Sequence, residues 1–303
     1  MLENINDLLN EAKKTDPLKL AVVAAADKVV IESIEKATRL GIVEPILIGD
    51  YAKIEEIVKS EGISDQVEIV GTASKEESAH TAMEMIKEGK ADYPMKGHIS
   101  TSIILKALLD KQYGLRGENI LSLVTLIYLE KEERFVIMTD GGMNISPSLE
   151  DKIDLINNAG RMAHAIGIEN PKAAVLAAVE AVNPAMEATL EAASLSKMSD
   201  RGQIENITVD GPLAFDNAIS KKAAEHKGID SPVAGQADIL LVPDIEAGNV
   251  LYKSLVFYGQ QPSASIVVGA KVPLVITSRA DRAETKLNSI ALGKVMTEDK
   301  NNI

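Results

Sequence analysis

The chain contains no cysteine, which excludes disulfide scaffolds, zinc–thiolate sites, iron–sulfur clusters and any acyl-cysteine intermediate. It has no apolar run long enough to cross a bilayer, and its opening residues, MLENINDLLNEAKKTD, are polar and acidic, unlike a secretory signal. Cytoplasm is the expected location. Positive charge is in deficit: 32 Lys and Arg face 45 Asp and Glu, for a formal net charge of −13. A protein that neutralises nucleic-acid phosphates needs a basic surface, so that function class is excluded. Any polyanionic ligand must be held by a local cluster of Lys and Arg against the global field. Internal repeats, low-complexity tracts and Gly-, Pro- or Ser-rich linkers are also missing.

What remains is an ordinary globular composition, 46% hydrophobic and 25% charged over 303 residues. Short apolar runs alternate with amphipathic segments, the pattern of parallel sheets covered by helices, hence an α/β fold. Strands are expected at 20–25, 44–48, 67–70, 93–95, 121–129, 135–139, 174–178, 204–209, 239–242, 265–268 and 274–277. Helices are expected at 29–40, 100–109, 149–166, 186–198 and 212–225, with a last one through Glu284, Asn288 and Leu292. The length allows two domains of about 150 residues. Without a linker they must be joined by crossing strands. The charged tip Lys131-Glu-Glu-Arg134 suits an antiparallel pair at the crossing, and the return falls near 269–273. The expected division is 1–133 plus 271–303 and 134–270, with Ser278 and Arg279 facing a cleft between two α/β domains.

Five clusters carry candidate chemistry. Lys96-Gly97-His98-Ile99-Ser100-Thr101-Ser102 follows a strand, with Lys106 further into the next helix; small residues and hydroxyls at a helix start suit a phosphate, while Ser100 alone also suits a cap. In Thr139-Asp140-Gly141-Gly142-Met143-Asn144, Asp140 is either a ligand contact or a turn former. Ser148 with Asp151 reads as a cap. Asp244 and Asn249 stand at another strand–helix junction, where an aspartate is commonly a cap. Asp210-Gly211-Pro212 reads as a turn. Finally, Ser278-Arg279-Ala280-Asp281 joins the last strand to the last helix. Asp281 with Glu284 has the spacing of a capping pair, whereas an arginine at a strand's carboxyl end matches a phosphate or carboxylate better than it matches packing.

Taken in order, these clusters resemble the phosphate acyltransferase family of phosphotransacetylases and phosphotransbutyrylases. The resemblance covers most of the chain and is strongest in ADILLVPDIEAGNVLYKSL and GAKVPLVITSRADRAETKLNSIAL; KGHISTS, TDGGMNISPS and VDGPLAFDNAI match further family segments. The length, the MKGHIST loop and the SRADRAETK wording are most similar to butyryl and branched-chain members, with phosphate acetyltransferase as the alternative. The resemblance implies two α/β domains around a central cleft, as in isocitrate and isopropylmalate dehydrogenases. It further implies a homodimer or higher homo-oligomer that interconverts acyl-CoA plus phosphate with acyl phosphate plus CoA. No metal or cofactor is implied, coenzyme A being a substrate.

By position, Ser278 would stabilise charge at the acyl centre and Arg279 would hold the phosphoryl group. Ser100 and Ser102 would line the phosphate and thiol end, with Lys96, His98 and Thr101 beside them. Lys106 would contact a CoA phosphate, and Asp140, Asp244 and Asn249 belong to the substrate-binding set. The acetyl members' proposed aspartate base falls on Thr285. Asp281 and Glu284 are the nearby carboxylates, and Asp281, nearer Ser278, is the preferred candidate base. A metal-dependent hydroxyacid dehydrogenase of the same fold would need a carboxylate cluster that the scattered aspartates do not supply. A non-enzymatic binding protein would leave Ser278 and Arg279 unexplained.

Overall fold

The computed structural model describes residues 1–61, 67–278 and 281–299. In chain order its strands are β1 (Leu18–Val23), β2 (Val43–Gly49), β3 (Glu68–Gly71), β4 (Tyr93–Lys96), β5 (Ser122–Leu129), β6 (Arg134–Thr139), β7 (Lys172–Leu176), β8 (Thr208–Leu213), β9 (Ile239–Leu241), β10 (Ser263–Val268) and β11 (Leu274–Val275). The helices are α1 (Ile5–Glu11), α2 (Lys28–Arg39), α3 (Tyr51–Ser60), α4 (Lys75–Lys87), α5 (Thr101–Leu108), α6 (Leu149–Ala165), α7 (Glu187–Asp200), α8 (Phe215–Ile219), α9 (Lys221–His226), α10 (Ile245–Tyr252) and α11 (Ala283–Glu298). They form two compact mixed α/β units, one of Ile5–Glu118 with Ser263–Ile303 and the other of Met1–Asn4 with Asn119–Pro262. No helix among the described residues is long and apolar enough to cross a membrane.

The first unit has strand order β3-β2-β1-β4-β11-β10. Its strands run parallel from β3 to β11, as the alternation of strands and helices predicts, but β10 and β11 form an antiparallel pair. With five residues between them, 269–273, there is no room for the crossover helix that a parallel pair requires. Helix starts follow local chemistry. The Asp27 and Asp50 carboxylates accept from Val30 N at 3.0 Å and Lys53 N at 3.3 Å, capping α2 and α3, and Ser74 Oγ accepts from Glu77 N at 3.0 Å to cap α4. Gly41, at φ 71°, lets the chain leave α2.

Helix α11 is buried along nearly its whole length, including Lys286, Asn288, Ser289 and Lys294. Lys294 Nζ donates to Thr15 O at 3.1 Å and Asp16 O at 2.8 Å, and Ser289 Oγ accepts from Ser265 N at 2.9 Å. Tyr93 is fully buried and donates to Ile290 O at 3.0 Å. The capping pair expected of Asp281 and Glu284 does not form. Arg282 is the N-cap, without a side-chain bond, and Glu284 pairs instead with Lys36 at 3.4 Å.

The second unit has strand order β5-β6-β9-β7-β8. The expected hairpin is present, with Thr125 opposite Met138 and Leu129 opposite Arg134 in antiparallel register. Arg134 belongs to β6 rather than to a solvent tip, and its guanidinium donates to Ala237 O at 2.7 Å and Ile219 O at 3.3 Å. Burial pushes that guanidinium down from its ordinary value. Two expectations fail around 204–225. The strand lies later, at β8, and includes Asp210-Gly211-Pro212 rather than turning there. The sheet accommodates the proline because β8 is its edge and the register with β7 shifts between Ala174 and Leu176. The single helix expected at 212–225 is two short helices, α8 and α9, separated where Ser220 turns extended and caps α9. By contrast Ser148 and Asp151 form the reciprocal capping box that their spacing predicts.

Candidate active site

In the first unit the chain runs from β1 outward to β2 and β3, then returns to place β4 on the other side of β1. The carboxyl ends of β1 and β4 therefore flank a switch point, the usual ligand crevice of an open α/β sheet. Strand β11 pairs parallel to β4, Val275 beside Met95. This brings Lys96-Gly97-His98 against Thr277-Ser278, although some 180 residues separate them in the chain. A cavity of about 50 Å³ forms there, lined by Asp27, Lys96, His98, Thr277, Ser278 and Lys286 among others.

Each wall has a local cause. Gly97 N donates to Val23 O and His98 N to Ala24 O, both at 2.8 Å, folding the loop after β4 onto the end of β1. A Cβ at Gly97 would lie 2.5 Å from Ala24 O and 2.6 Å from Val23 O, so the approach requires glycine. Lys96 is buried and His98 exposed, its Nδ1 3.9 Å from Asp27 Oδ2. Ser100 is the N-cap of α5, its hydroxyl 3.4 Å from Ile103 N and 3.1 Å from Ser102 Oγ. The cap reading of Ser100 therefore holds in the fold, and both hydroxyls remain exposed with Thr101 half-buried beside them. Lys106 is exposed on the second turn of α5 and does not line this cavity. His98 also borders a second cavity of about 450 Å³ at the ends of β1 and β2, whose wall includes Lys53 and Lys75.

Ser278 is exposed, and its backbone N–H donates to Asp281 Oδ2 at 2.6 Å while Asp281 N donates back to Ser278 O at 3.1 Å. The carboxylate thus braces the turn that presents the serine. Arg279 lies outside the described residues. Below the turn stands a residue that motif reading passes over: Lys286, 3% exposed, donates from Nζ to Ser278 O at 2.8 Å and Thr277 Oγ1 at 3.1 Å. Burial pushes its ammonium down from the ordinary lysine value, opposed more weakly by Asp281 and Asp27. Its signal in the sequence is position: Lys286 shares a helix face with Ala283, Ile290 and Lys294.

Three substrate-binding candidates belong to the second unit. Asp140 is buried, and its carboxylate accepts from Gly142 N at 2.8 Å, Met143 N at 3.0 Å, Asn144 N at 3.3 Å, Asn144 Nδ2 at 2.6 Å and Leu123 N at 3.3 Å. Of its two readings, the turn former accounts for the bonds from Gly142, Met143 and Asn144, and the bond from Leu123 N ties that turn to β5. Burial raises its pKa against those hydrogen bonds. Asp244 caps α10 through Ala247 N at 2.8 Å, and Asn249 Nδ2 donates to Gly141 O at 3.2 Å. No group of three or more His, Asp or Glu suited to a metal ion occurs among the described residues.

Residues 59–293 match the family model described as "Phosphate acetyl/butaryl transferase". The chain is 45% identical over 301 residues to the phosphate butyryltransferase of Clostridium acetobutylicum, covering 99% of this chain and 100% of that one. It is 47% identical over 277 residues to the phosphate acetyltransferase of Thermotoga maritima, covering 91% and 94%. Among solved structures, a branched-chain phosphotransacylase from Enterococcus faecalis V583 superposes with a TM-score of 0.83 at 30% identity, over 93% of this chain and 99% of that one.

Proposed function

The chain belongs to the phosphate acetyl/butyryl transferase family, and from that premise we propose a butyryl or short branched-chain phosphate acyltransferase working by direct transfer in a ternary complex. The coarse activity is that of an acyltransferase interconverting acyl-CoA plus phosphate with acyl phosphate plus CoA. The preference for a C4 or branched acyl group is supported by the near full-length similarity to a protein named phosphate butyryltransferase and by the branched-chain phosphotransacylase fold match. The finer architecture, two α/β domains of the isocitrate dehydrogenase type, belongs to the same proposal and is supported by the family resemblance.

The observation that carries the site assignment is the cavity shared by Lys96, His98, Ser278 and Lys286 at the ends of β4 and β11. Two buried lysines in a chain of net charge −13 supply the local positive field that an anionic substrate needs. A thiol with a pKa of about 8.5 is only a few per cent thiolate at pH 7, so a cationic site that favours the thiolate accelerates attack. The thiolate adds to the acyl-phosphate carbonyl and phosphate leaves; in reverse, phosphate attacks the thioester and CoA leaves. Ser278 Oγ is assigned to the developing oxyanion. Arg279 is assigned to the phosphoryl group from its place in the sequence and from its fork geometry.

The test is phosphate-dependent release of CoA thiol from acetyl-, propionyl-, butyryl- and isobutyryl-CoA. Highest kcat/KM with butyryl- or isobutyryl-CoA supports the reading. A tenfold preference for acetyl-CoA makes the protein a phosphate acetyltransferase, and no phosphate-dependent release from any of them overturns the assignment.

A further inference from the structure

Lys286 is almost fully buried, yet among the described residues no carboxylate forms an ion pair with it. Its two hydrogen bonds go to a hydroxyl and a carbonyl oxygen. Neither partner carries the negative charge that a buried ammonium needs to offset its lost hydration. An ammonium has three N–H donors, so one is left, and the cavity is the space that the side chain lines. Around it stand Asp27 from the start of α2 and Lys96 and His98 from the end of β4, while Asp281, before α11, acts on Lys286 electrostatically. The carboxylates act on Lys286 only at longer range. The geometry is that of a cation held in place and awaiting an anion.

We propose that Lys286 is a substrate-contacting residue of the acyltransferase, its third N–H holding an oxygen of inorganic phosphate, or of the phosphoryl group of the acyl phosphate, beneath Ser278. The proposal rests on the acyltransferase reading for its substrate but can be tested apart from turnover. The bonds of Lys286 to Thr277 and Ser278 fix the ammonium without neutralising it, so anion binding supplies the compensation the fold leaves out. The same contact sets the phosphoryl group next to the serine assigned to the acyl centre.

Two measurements on the full chain decide it. In thermal melts, inorganic phosphate at tens of millimolar should raise the Tm of the wild type by mass action. Lys286→Met removes an uncompensated charge while keeping length, so it should melt no lower than wild type without phosphate and should lose the phosphate-induced rise. In kinetics, its KM for phosphate should rise at least tenfold and kcat fall ten- to a hundredfold, with KM for acyl-CoA within about threefold. Because the chain has no cysteine, Lys286→Cys introduces a single thiol; aminoethylation should restore the cation and most of the phosphate affinity, whereas carbamidomethylation should not.

A wild type that phosphate does not stabilise overturns the proposal without any variant. So does a Lys286→Met protein that is destabilised yet retains normal phosphate stabilisation and KM, which is the behaviour of a purely structural lysine. If phosphate binding depends on Lys286 but no acyl-CoA is turned over, the function fails and the anion site stands.

Discussion

At the scale of single residues, Ser278 and Asp281 have separable jobs. Ser278 is exposed at the cavity, where its backbone N–H donates to Asp281 and its carbonyl accepts from Lys286, and its hydroxyl is the group assigned to the acyl centre. Ser278→Ala should lower kcat about ten- to a thousandfold, up to the roughly hundred- to thousandfold loss typical of one oxyanion donor, without accumulation of an acyl-enzyme. Mass spectrometry showing acylated Ser278 after mixing with butyryl phosphate would replace direct transfer with a ping-pong route. Asp281 accepts the Ser278 N–H, a bond that asparagine can also accept and alanine cannot. We expect Asp281→Asn to keep kcat within tenfold of wild type with an unchanged pH profile, and Asp281→Ala to lose more. Loss of the alkaline rise of kcat/KM in Asp281→Asn alone would instead identify it as the thiol base.

At the scale of elements, the site depends on how closely the β4–α5 loop sits against the end of β1. Gly97→Ala would push a methyl into two backbone carbonyls, which cannot move as a flexible side chain would. The expected cost is roughly 1–3 kcal/mol of stability, with a larger loss of activity because Lys96 and His98 move with the loop; urea denaturation and kinetics together check both. Ser148→Ala provides the contrast. It removes the capping box of α6 and should cost about 1 kcal/mol while kcat stays unchanged.

At the scale of the whole molecule, the charge of −13 sets the surface field. The protein should bind an anion-exchange matrix at pH 7, pass through heparin at low salt, and be least soluble near its isoelectric point of about 4.9. Retention on heparin at 0.1 M salt would contradict the exclusion of polyanion binding drawn from the net charge. The substrates are anions nonetheless, so their capture relies on positive groups concentrated at one point, Lys96 and Lys286 in the cavity and Lys53 and Lys75 close by.

The sequence by itself determined what depends on neighbours along the chain. Every strand has its apolar run, although the one at β8 is placed four residues early because the Gly-Pro of an edge strand resembles a turn. The Ser148 cap, the β5–β6 hairpin and the strand-to-helix positions of Lys96, Ser100 and Ser278 follow from spacing alone, and the family follows from the order of those motifs. Tertiary structure decided what depends on pairing between distant strands. The parallel register of β4 and β11 joins the two loops into one cavity. The burial of α11 turns Lys286 from an ordinary helix lysine into a confined cation. The loop after β6 and the start of β5 wrap around the Asp140 carboxylate. A side chain's type is written in the sequence, but its charge environment is set by which surfaces pack around it, and those surfaces come from remote parts of the chain.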